Sequence, residues 1–396
     1  LKFRTSTVTG LTQKTCNLAL VLLICMIYSS ALPGAWYLDD NSMIIGNKFV
    51  HAQSWQELPT AFRHYAGGEG FFRPVTFFTF AVNHLFTGLD PLWYRVTNIC
   101  LHAIMSLVLL MFLRHILRDP IVAFLSAAMW AVHPIQTAAV SYIVQRSTIL
   151  AALFGILGLY LYIRGREEGS VKKIVMSAVL FAIAFLCKEN SATLLACAWL
   201  YDLFFIQKFK HLRTNLVAAA CVAVSITVVG TLYVGLEQYA ERPFLLSERL
   251  LVEFKVLGEY LSTCLLPVSS EMAAIYHAGK IPAGISAWVS AVLIFCIIGI
   301  LIYKARRFPV VAFCGLWFFI CHSVESTFLP LELRFDHRNY LPSMLLYVPV
   351  VMAFLQQRVR RFAIAAIIVV ILSQAAVTYE RNKAFILQPN VIVETK

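Results

Sequence analysis

The chain has 396 residues, of which 60% are hydrophobic and only 14% charged, with a mean hydropathy of +0.74. That excludes an ordinary soluble domain, in which roughly 25% of residues are charged. Repeated apolar stretches of about 20 residues predict an all-α, polytopic integral membrane protein, and the lack of period-2 alternation argues against a membrane β-barrel. The formal net charge of +12 lies in short clusters between apolar stretches, so it reads as a topology signal and an attraction for anionic lipid rather than for nucleic acid.

In chain order, the first apolar stretch, 16–36, is too long, and followed by too many others, to be a cleaved signal peptide. Further spans are predicted at 92–113, 120–138, 147–163, 173–187, 191–206, 215–235, 285–303, 309–328, 341–357 and 362–379, about eleven crossings in all. Basic residues cluster before the first span and in every second connection between spans, at Lys14, at Arg114 and Arg118, from Arg164 to Lys173, from Lys208 to Arg213, from Lys304 to Arg307, and from Arg358 to Arg361. Placing these in the cytoplasm puts the N-terminus inside and the C-terminus outside. Residues 1–380 then form one transmembrane domain, and 381–396 an outer C-terminal tail. The segment 248–267 carries charges at helical spacing beside an apolar stripe. A crossing there would break the alternation of sides, so an interfacial or re-entrant amphipathic helix is predicted.

The same topology sorts the polar residues. Most carboxylates fall outside, and the largest outer loop, 37–91, opens on Asp39-Asp40. Two adjacent carboxylates at a bilayer face are costly unless water, a cation or a substrate uses them. Other outer elements are Phe72-Arg73-Pro74, Asn98 with His102, His133-Pro134, Gln145-Arg146, Lys188-Glu189 and the run from Glu332 to Pro342, which includes His337-Arg338. A carboxylate beside arginine and lysine suits removal of a hydroxyl proton while a phosphate leaves, and the planar guanidinium fork fits phosphate oxygens. Each element also has a structural reading: a solvated span end for Asp39-Asp40, a neutral pair for Lys188-Glu189, a helix stop for His133-Pro134, a packed imidazole for His102. The cysteines show no CxxC or His/Cys ligand spacing. An acidic pair can hold a divalent cation, but nothing else here makes a dedicated metal site, so no metal or cofactor is expected.

Taken together and in order, Trp36-Tyr37-Leu38-Asp39-Asp40, Phe72-Arg73-Pro74, Gly88-Leu89-Asp90-Pro91, Leu101-His102, Ala131-Val132-His133-Pro134, Gln145-Arg146, Leu186-Cys187-Lys188-Glu189 and Arg338-Asn339-Tyr340-Leu341-Pro342 resemble the GT-C superfamily of polyprenyl-phosphate-sugar glycosyltransferases. The match is nearest to the membrane part of the transmembrane-and-tetratricopeptide-repeat O-mannosyltransferases and their bacterial relatives. The resemblance covers about 30–345 and stops short of a tetratricopeptide array.

It implies a catalytic carboxylate at Asp39, with Asp40 second, and donor phosphate or sugar ligands in Arg73, Arg146, Lys188 and Arg338. His133, Glu189, His337 and His102 become residues that orient donor or acceptor. The implied partners are a polyprenyl-phosphate sugar, a hydroxyl-bearing protein or glycan acceptor, and membrane lipids. The implied site lies on the periplasmic or lumenal face of a bacterial inner membrane or an endoplasmic reticulum membrane. A lipid-linked sugar carrier, or a polymerase or ligase using pyrophosphate-linked donors, would use the same polar residues.

Overall fold

A computed structural model of the chain describes residues 10–67, 72–117, 119–214, 217, 245–266, 284–327, 329, 331–356 and 360–383. Every regular element among them is helical, as the sequence predicts. The α-helices are α1 (Gly10–Tyr28), α2 (Pro74–Thr87), α3 (Pro91–Leu117), α4 (Pro120–Ala131), α5 (Thr137–Val140), α6 (Arg146–Glu168), α7 (Val171–Cys187), α8 (Thr193–Tyr201), α9 (Leu246–Leu265), α10 (Ile285–Lys304), α11 (Pro309–His322), α12 (Tyr347–Leu355) and α13 (Arg360–Asn382).

Local chemistry sets several of these boundaries. Pro120 fills the first turn of α4, and the Asp119 side chain accepts from the N–H groups of Ile121 and Val122 at 3.0 and 3.2 Å, satisfying donors that a helix start leaves open. α6 stops at Gly169, whose φ of +67° is a left-handed conformation that costs glycine little.

Five helices among the described residues are long and apolar enough to cross a membrane: Gln13–Ala31, Pro91–Leu117, Ile143–Glu168, Ile285–Lys304 and Arg360–Asn382. Pro120–Ala131 and Pro134–Val140, bent by 50°, make a sixth if taken as one broken span, with Pro134 unable to continue the α4 ladder. The eleven predicted crossings exceed this number for identifiable reasons. The stretch 173–187 falls within α7, which has 17 residues. The stretch 191–206 holds only α8 and a π-helical turn. Those at 309–328 and 341–357 contain shorter apolar helices, and 215–235 lies outside the described residues save Val217.

The helices assemble into a bundle with two distinct polar ends. One gathers the starts of α3 and α6 with the ends of α4, α7 and α13; the other gathers the ends of α3 and α6 with the starts of α4, α7 and α13. Close approach of α6 and α7 depends on Gly158, where a Cβ would stand 3.3 Å from Phe181 and from the Ser177 carbonyl. Ser177 Oγ donates to the Gly158 carbonyl at 2.7 Å. Such small-residue contacts join helices where lipid removes the hydrophobic incentive.

Two buried tryptophans carry the 336–345 stretch, two short 3-10 turns around Tyr340-Leu341, inside the bundle. Trp130 of α4 donates to the Tyr340 carbonyl and Trp317 of α11 to the Leu341 carbonyl, each at 3.0 Å. Irregular backbone at such depth requires protein partners of this kind.

The amphipathic helix forms as α9, and its buried face carries a charged pair beside Val252, Val256 and Tyr260. Arg249 and Glu253 are buried and face the 325–335 stretch rather than water. α13 also runs through the predicted boundary at 380: Asn382 is buried, accepting from Ser141 Oγ at 2.6 Å and donating to the Ile27 carbonyl at 3.2 Å. From residue 384 on, the predicted tail lies outside the described residues.

Candidate active site

The acidic loop separates its two carboxylates. Leu38 has φ +42°, an uncommon left-handed conformation for a side-chain-bearing residue, of the kind that costs about 1–3 kcal/mol and concentrates at functional sites. After this turn Asp40 points inward and Asp39 outward. Asp40 is fully buried, and its carboxylate accepts from the N–H groups of Tyr37 at 3.1 Å and Val144 at 2.8 Å. Burial pushes its acidity to about 7 against those two bonds and the nearby charge of Arg95. Asp40 therefore knots the loop to the entry of α6. Arg95 completes the knot by donating to the carbonyls of Gly34, Ala35 and Ser141.

Asp39 is exposed. Its N–H donates to Tyr142 Oη at 2.9 Å, and the phenol in turn shares its proton with the Asp39 carboxylate. Burial, reinforced by the charges of Asp39 and Asp40, holds Tyr142 protonated far above the ordinary tyrosine range. An exposed carboxylate with one fixed phenol donor is oriented yet open to an incoming hydroxyl.

A cationic cluster stands at the same end of the bundle. Arg73 grips Glu189 fork to fork at 2.6 and 3.1 Å. Lys188 Nζ, buried, donates to Thr148 Oγ1 at 3.1 Å and pairs with Glu325 at 3.0 Å, while Asn190 donates to the other Glu325 oxygen at 3.1 Å. Burial alone would raise the Glu325 carboxyl, but the charges of Lys188 and Arg338 and the hydrogen bond from Lys188 hold it at about 2. His337 sits among Lys188, Arg338 and Arg73; burial first, and then these cations, keep its imidazole neutral. Its ring stacks on Phe335 with centroids 5.1 Å apart. Arg338 lies over the same ring and makes one long hydrogen bond among the described residues, to the Leu333 carbonyl at 3.4 Å. Its other guanidinium N–H groups are uncommitted there, which suits a phosphate ligand.

Three further sequence candidates are buried, and the fold itself engages two of them, Arg146 and His102, through every ring or guanidinium nitrogen. Arg146 is buried and spends its donors on Asn98, Thr79, Asn83 and the Tyr94 carbonyl at 2.6–3.4 Å, its guanidinium 4.6 Å above the Phe80 ring. His102 Nε2 is 3.0 Å from the Ala131 carbonyl and Nδ1 is 2.7 Å from Tyr340 Oη. A carbonyl only accepts, so Nε2 carries the proton and Tyr340 donates to Nδ1. His133 sits at the break after α4, its Nδ1 accepting from the Ile135 N–H at 3.2 Å.

Sequence reading missed Tyr142, Glu325 and Arg381. Arg381, at the end of α13, links the two clusters: it donates to the Pro134 carbonyl at 2.8 Å and to Asp336 at 2.5 Å, and its charge reaches Tyr37. Below Lys188 an apolar groove of about 810 Å³ runs along α7 and α8, lined by Phe181, Phe185, Leu195 and Trp199, with Ser191 and Ala192 at its upper end and Arg166 and Asp202 at its lower end.

Residues 74–233 match the family model described as dolichyl-phosphate-mannose-protein mannosyltransferase. The likeness is to protein O-mannosyltransferases. Among curated relatives, the protein O-mannosyl-transferase TMTC3 of Mus musculus is 30% identical over 201 residues, covering 48% of this chain and 22% of its own length. TMTC1 of Homo sapiens is 29% identical over 209 residues, 48% of this chain and 24% of its own. F38B6.6 of Caenorhabditis elegans is 28% identical over 243 residues, 58% of this chain and 33% of its own. The chain thus spans about a fifth to a third of these relatives. Of the candidates, His102, His133, Arg146, Lys188 and Glu189 lie inside the 74–233 match; Asp39, Asp40, Arg73, His337 and Arg338 lie outside it and are brought to the same end of the bundle by the fold.

Proposed function

We propose that this chain is the membrane catalytic part of an O-mannosyltransferase. It moves mannose from a polyprenyl-phosphate carrier to a Ser or Thr hydroxyl on the non-cytoplasmic face of an endoplasmic reticulum or bacterial inner membrane. The observation that carries the reading is the division of labour at the acidic loop: Asp40 is consumed by the fold, while Asp39 is exposed and oriented by Tyr142, at the bundle end that holds Lys188, His337 and Arg338. The family and relatives matched by the chain, all named as mannosyltransferases, support the sugar and the acceptor class.

In this reading the acceptor oxygen attacks the anomeric carbon from the side opposite the phosphate. Asp39 takes the hydroxyl proton. The bond from the anomeric carbon to the phosphate oxygen breaks, and its electron pair leaves on the polyprenyl phosphate, whose growing charge Arg338 and Lys188 receive. One carboxylate acting as base, with no second carboxylate as nucleophile, inverts the anomeric centre. The scheme uses no metal or cofactor. The carrier's tail fits the groove along α7 and α8, whose upper end adjoins Lys188-Glu189.

The test is transfer from a panel of polyprenyl-phosphate monosaccharides to hydroxyl-bearing peptides and glycans, by the purified chain in nanodiscs. Mannose transfer is expected, and Asp39→Asn should lower turnover ~10²–10⁴-fold with the unfolding temperature unchanged. Turnover unchanged in Asp39→Asn removes that residue as base; donor binding without any transfer removes the transferase reading.

A further inference from the structure

Both ends of α2 meet the end of the bundle that holds the candidate site. At its start Arg73 grips Glu189, and Thr76 Oγ1 donates at 3.1 Å to the carbonyl of Cys187, the last residue of α7. In its middle Thr79 and Asn83 accept from Arg146, the first residue of α6, at 3.1 and 2.6 Å. At its far end only Gly88, Leu89 and Asp90 separate it from Pro91, where α3 starts. Start, middle and end thus meet the same end of α7, α6 and α3, and the last two are long and apolar enough to span a bilayer. A helix of 14 residues, about 21 Å long, that meets all three points lies across the bundle, in the plane of the membrane.

Its sides face three environments. Thr76, Thr79, Phe80 and Asn83 turn to the bundle, where the Phe80 ring lies 4.6 Å from the Arg146 guanidinium. Phe77 and Ala81 are buried with Val50, Ala52, Leu58 and Ala61 of the preceding loop, and His84 Nδ1 is 3.0 Å from the Ala52 carbonyl. The third side carries Phe78, Val82, Leu85 and Phe86, none of them fully buried. Phe62 stacks on Phe78 with centroids 5.4 Å apart, and Trp55 sets its edge against Phe86 at 5.6 Å. Those rings do not close the face: Phe62, Trp55 and Phe86 are 47%, 65% and 67% exposed. In the first turn of α3, Trp93 is exposed as well and heads an exposed stripe with Cys100 and Ile104 down that spanning helix.

We infer that α2 and the 47–62 segment form a platform seated in the headgroup layer of the adjoining leaflet, with Trp55, Phe62 and Phe86 inserted among the lipids. Tryptophan gathers at the membrane–water boundary, and tryptophan and phenylalanine line the apolar face of helices that lie in it. The open face stands at the level where the lipid-facing stripe of α3 begins, so the bilayer that receives the stripe also receives the platform. Exposed charge beside it is mixed among the described residues, with Lys48, Glu57 and Asp90, so insertion needs no anionic lipid. The platform is also tied to the acidic loop. His51 Nε2 is 2.8 Å from the Ile44 carbonyl, Asn47 Nδ2 donates to the Met43 carbonyl at 3.2 Å, and the Met43 N–H donates to the Asp39 carbonyl at 2.8 Å. Insertion therefore fixes the height of Asp39 against the layer in which a lipid-linked phosphate lies. That consequence, unlike the docking itself, rests on the reading of Asp39 as the base.

The test is quenching of tryptophan emission from the full chain in phosphatidylcholine nanodiscs. The chain has seven tryptophans, so the readout is the difference between wild type and Trp55→Phe, which keeps an inserting ring. Most of that difference emission should be lost with bromine on the acyl carbons nearest the headgroup. Less should be lost with bromine near the chain ends, little with aqueous iodide, and added anionic lipid should change nothing. Iodide quenching without bromolipid quenching overturns the docking and assigns the face to a water-borne partner.

Transfer tests the consequence for Asp39. Trp55→Ser combined with Phe86→Ser should lower transfer several-fold in nanodiscs, while Trp55→Phe transfers as wild type. Full transfer by the folded double variant overturns the height role; should it not fold, Trp55→Ser alone is held to the same outcome. Wild-type protein that transfers nothing fails at the transferase reading, a result distinct from any outcome of the quenching.

Discussion

At the end of the bundle where α6 stops and α7 begins, Arg164 and Lys173 share Glu168, with side chains 36%, 31% and 38% exposed, and His115 meets the half-exposed Glu167. At the opposite end, Lys188 and Glu325 pair with side chains 3% and 6% exposed, and Arg249 and Glu253 with 0% and 2%. Both ends use the same residue types. Water screens the first set, so those pairs hold little beyond the helix ends they decorate. The second set has surrendered its hydration and is held in place only by its partners. Buried charge of that kind is a poor way to gain stability, and its presence is better explained by a field prepared for a charged reactant.

The largest expected effect follows from that contrast. Removing one member of the buried pair, by Lys188→Ala or Glu325→Ala, leaves the other charge uncompensated. Each should destabilise the protein by about 3–5 kcal/mol, seen as a lower unfolding temperature in nanodiscs, and should abolish transfer. Replacing both with Met should recover much of the stability and none of the transfer. Single variants as stable as wild type would show that the pair is hydrated and the contrast between the two ends mistaken.

The acidic loop sharpens the comparison within a single dipeptide. Asp40 is raised to about 7 by burial, against an ordinary value of 3.8, so the folded state holds its proton where the unfolded chain has released it. A carboxyl raised in this direction favours the fold fully below about 3.8, and that contribution is lost as pH rises through 7. Asp40→Asn should flatten this part of the stability profile, so the difference between variant and wild type should widen from pH 4 to pH 7.5. A difference independent of pH would show that Asp40 is already ionised in the fold. Because Asp40 only ties the loop to α6, transfer by the folded variant should fall less than with Asp39→Asn.

The contrast also explains what was legible in the sequence. Asp39-Asp40, Lys188-Glu189 and the 332–342 run could be found because each is a dense polar group between apolar stretches. Their grouping could not, because Arg73 reaches Glu189 across 116 positions and Asn190 reaches Glu325 across 135, and a lone glutamate in a loop carries no mark of its partner. Arg146, His102 and His133 show the converse. They are the residue types a site would use, but the fold spends the nitrogens of Arg146 and His102, and Nδ1 of His133, on carbonyls, amides and a phenol, so composition alone does not show which nitrogens a fold leaves open. The amphipathic pattern of α9 identified the helix but not the burial of Arg249 with Glu253, since a buried ion pair and an exposed one have the same periodicity. An apolar run does not reveal where its helix breaks: 120–138 holds two helices bent by 50°, and 191–206 a short α-helix and a π-helical turn.

The smallest effect belongs to the exposed end. Glu168→Ala removes the shared partner of Arg164 and Lys173, yet both cations stay in contact with water and lose only a screened interaction. Unfolding temperature and transfer rate should stay at wild-type values, and raising the salt concentration should leave the comparison unchanged, because there is little Coulombic energy left to screen. The same salt series applied to Lys188→Ala should also fail to rescue it, since mobile ions do not reach a site that water does not. A Glu168→Ala protein with lowered transfer would mean that charge at this end communicates with the candidate site through α6 and α7, the two helices that run the length of the bundle between them.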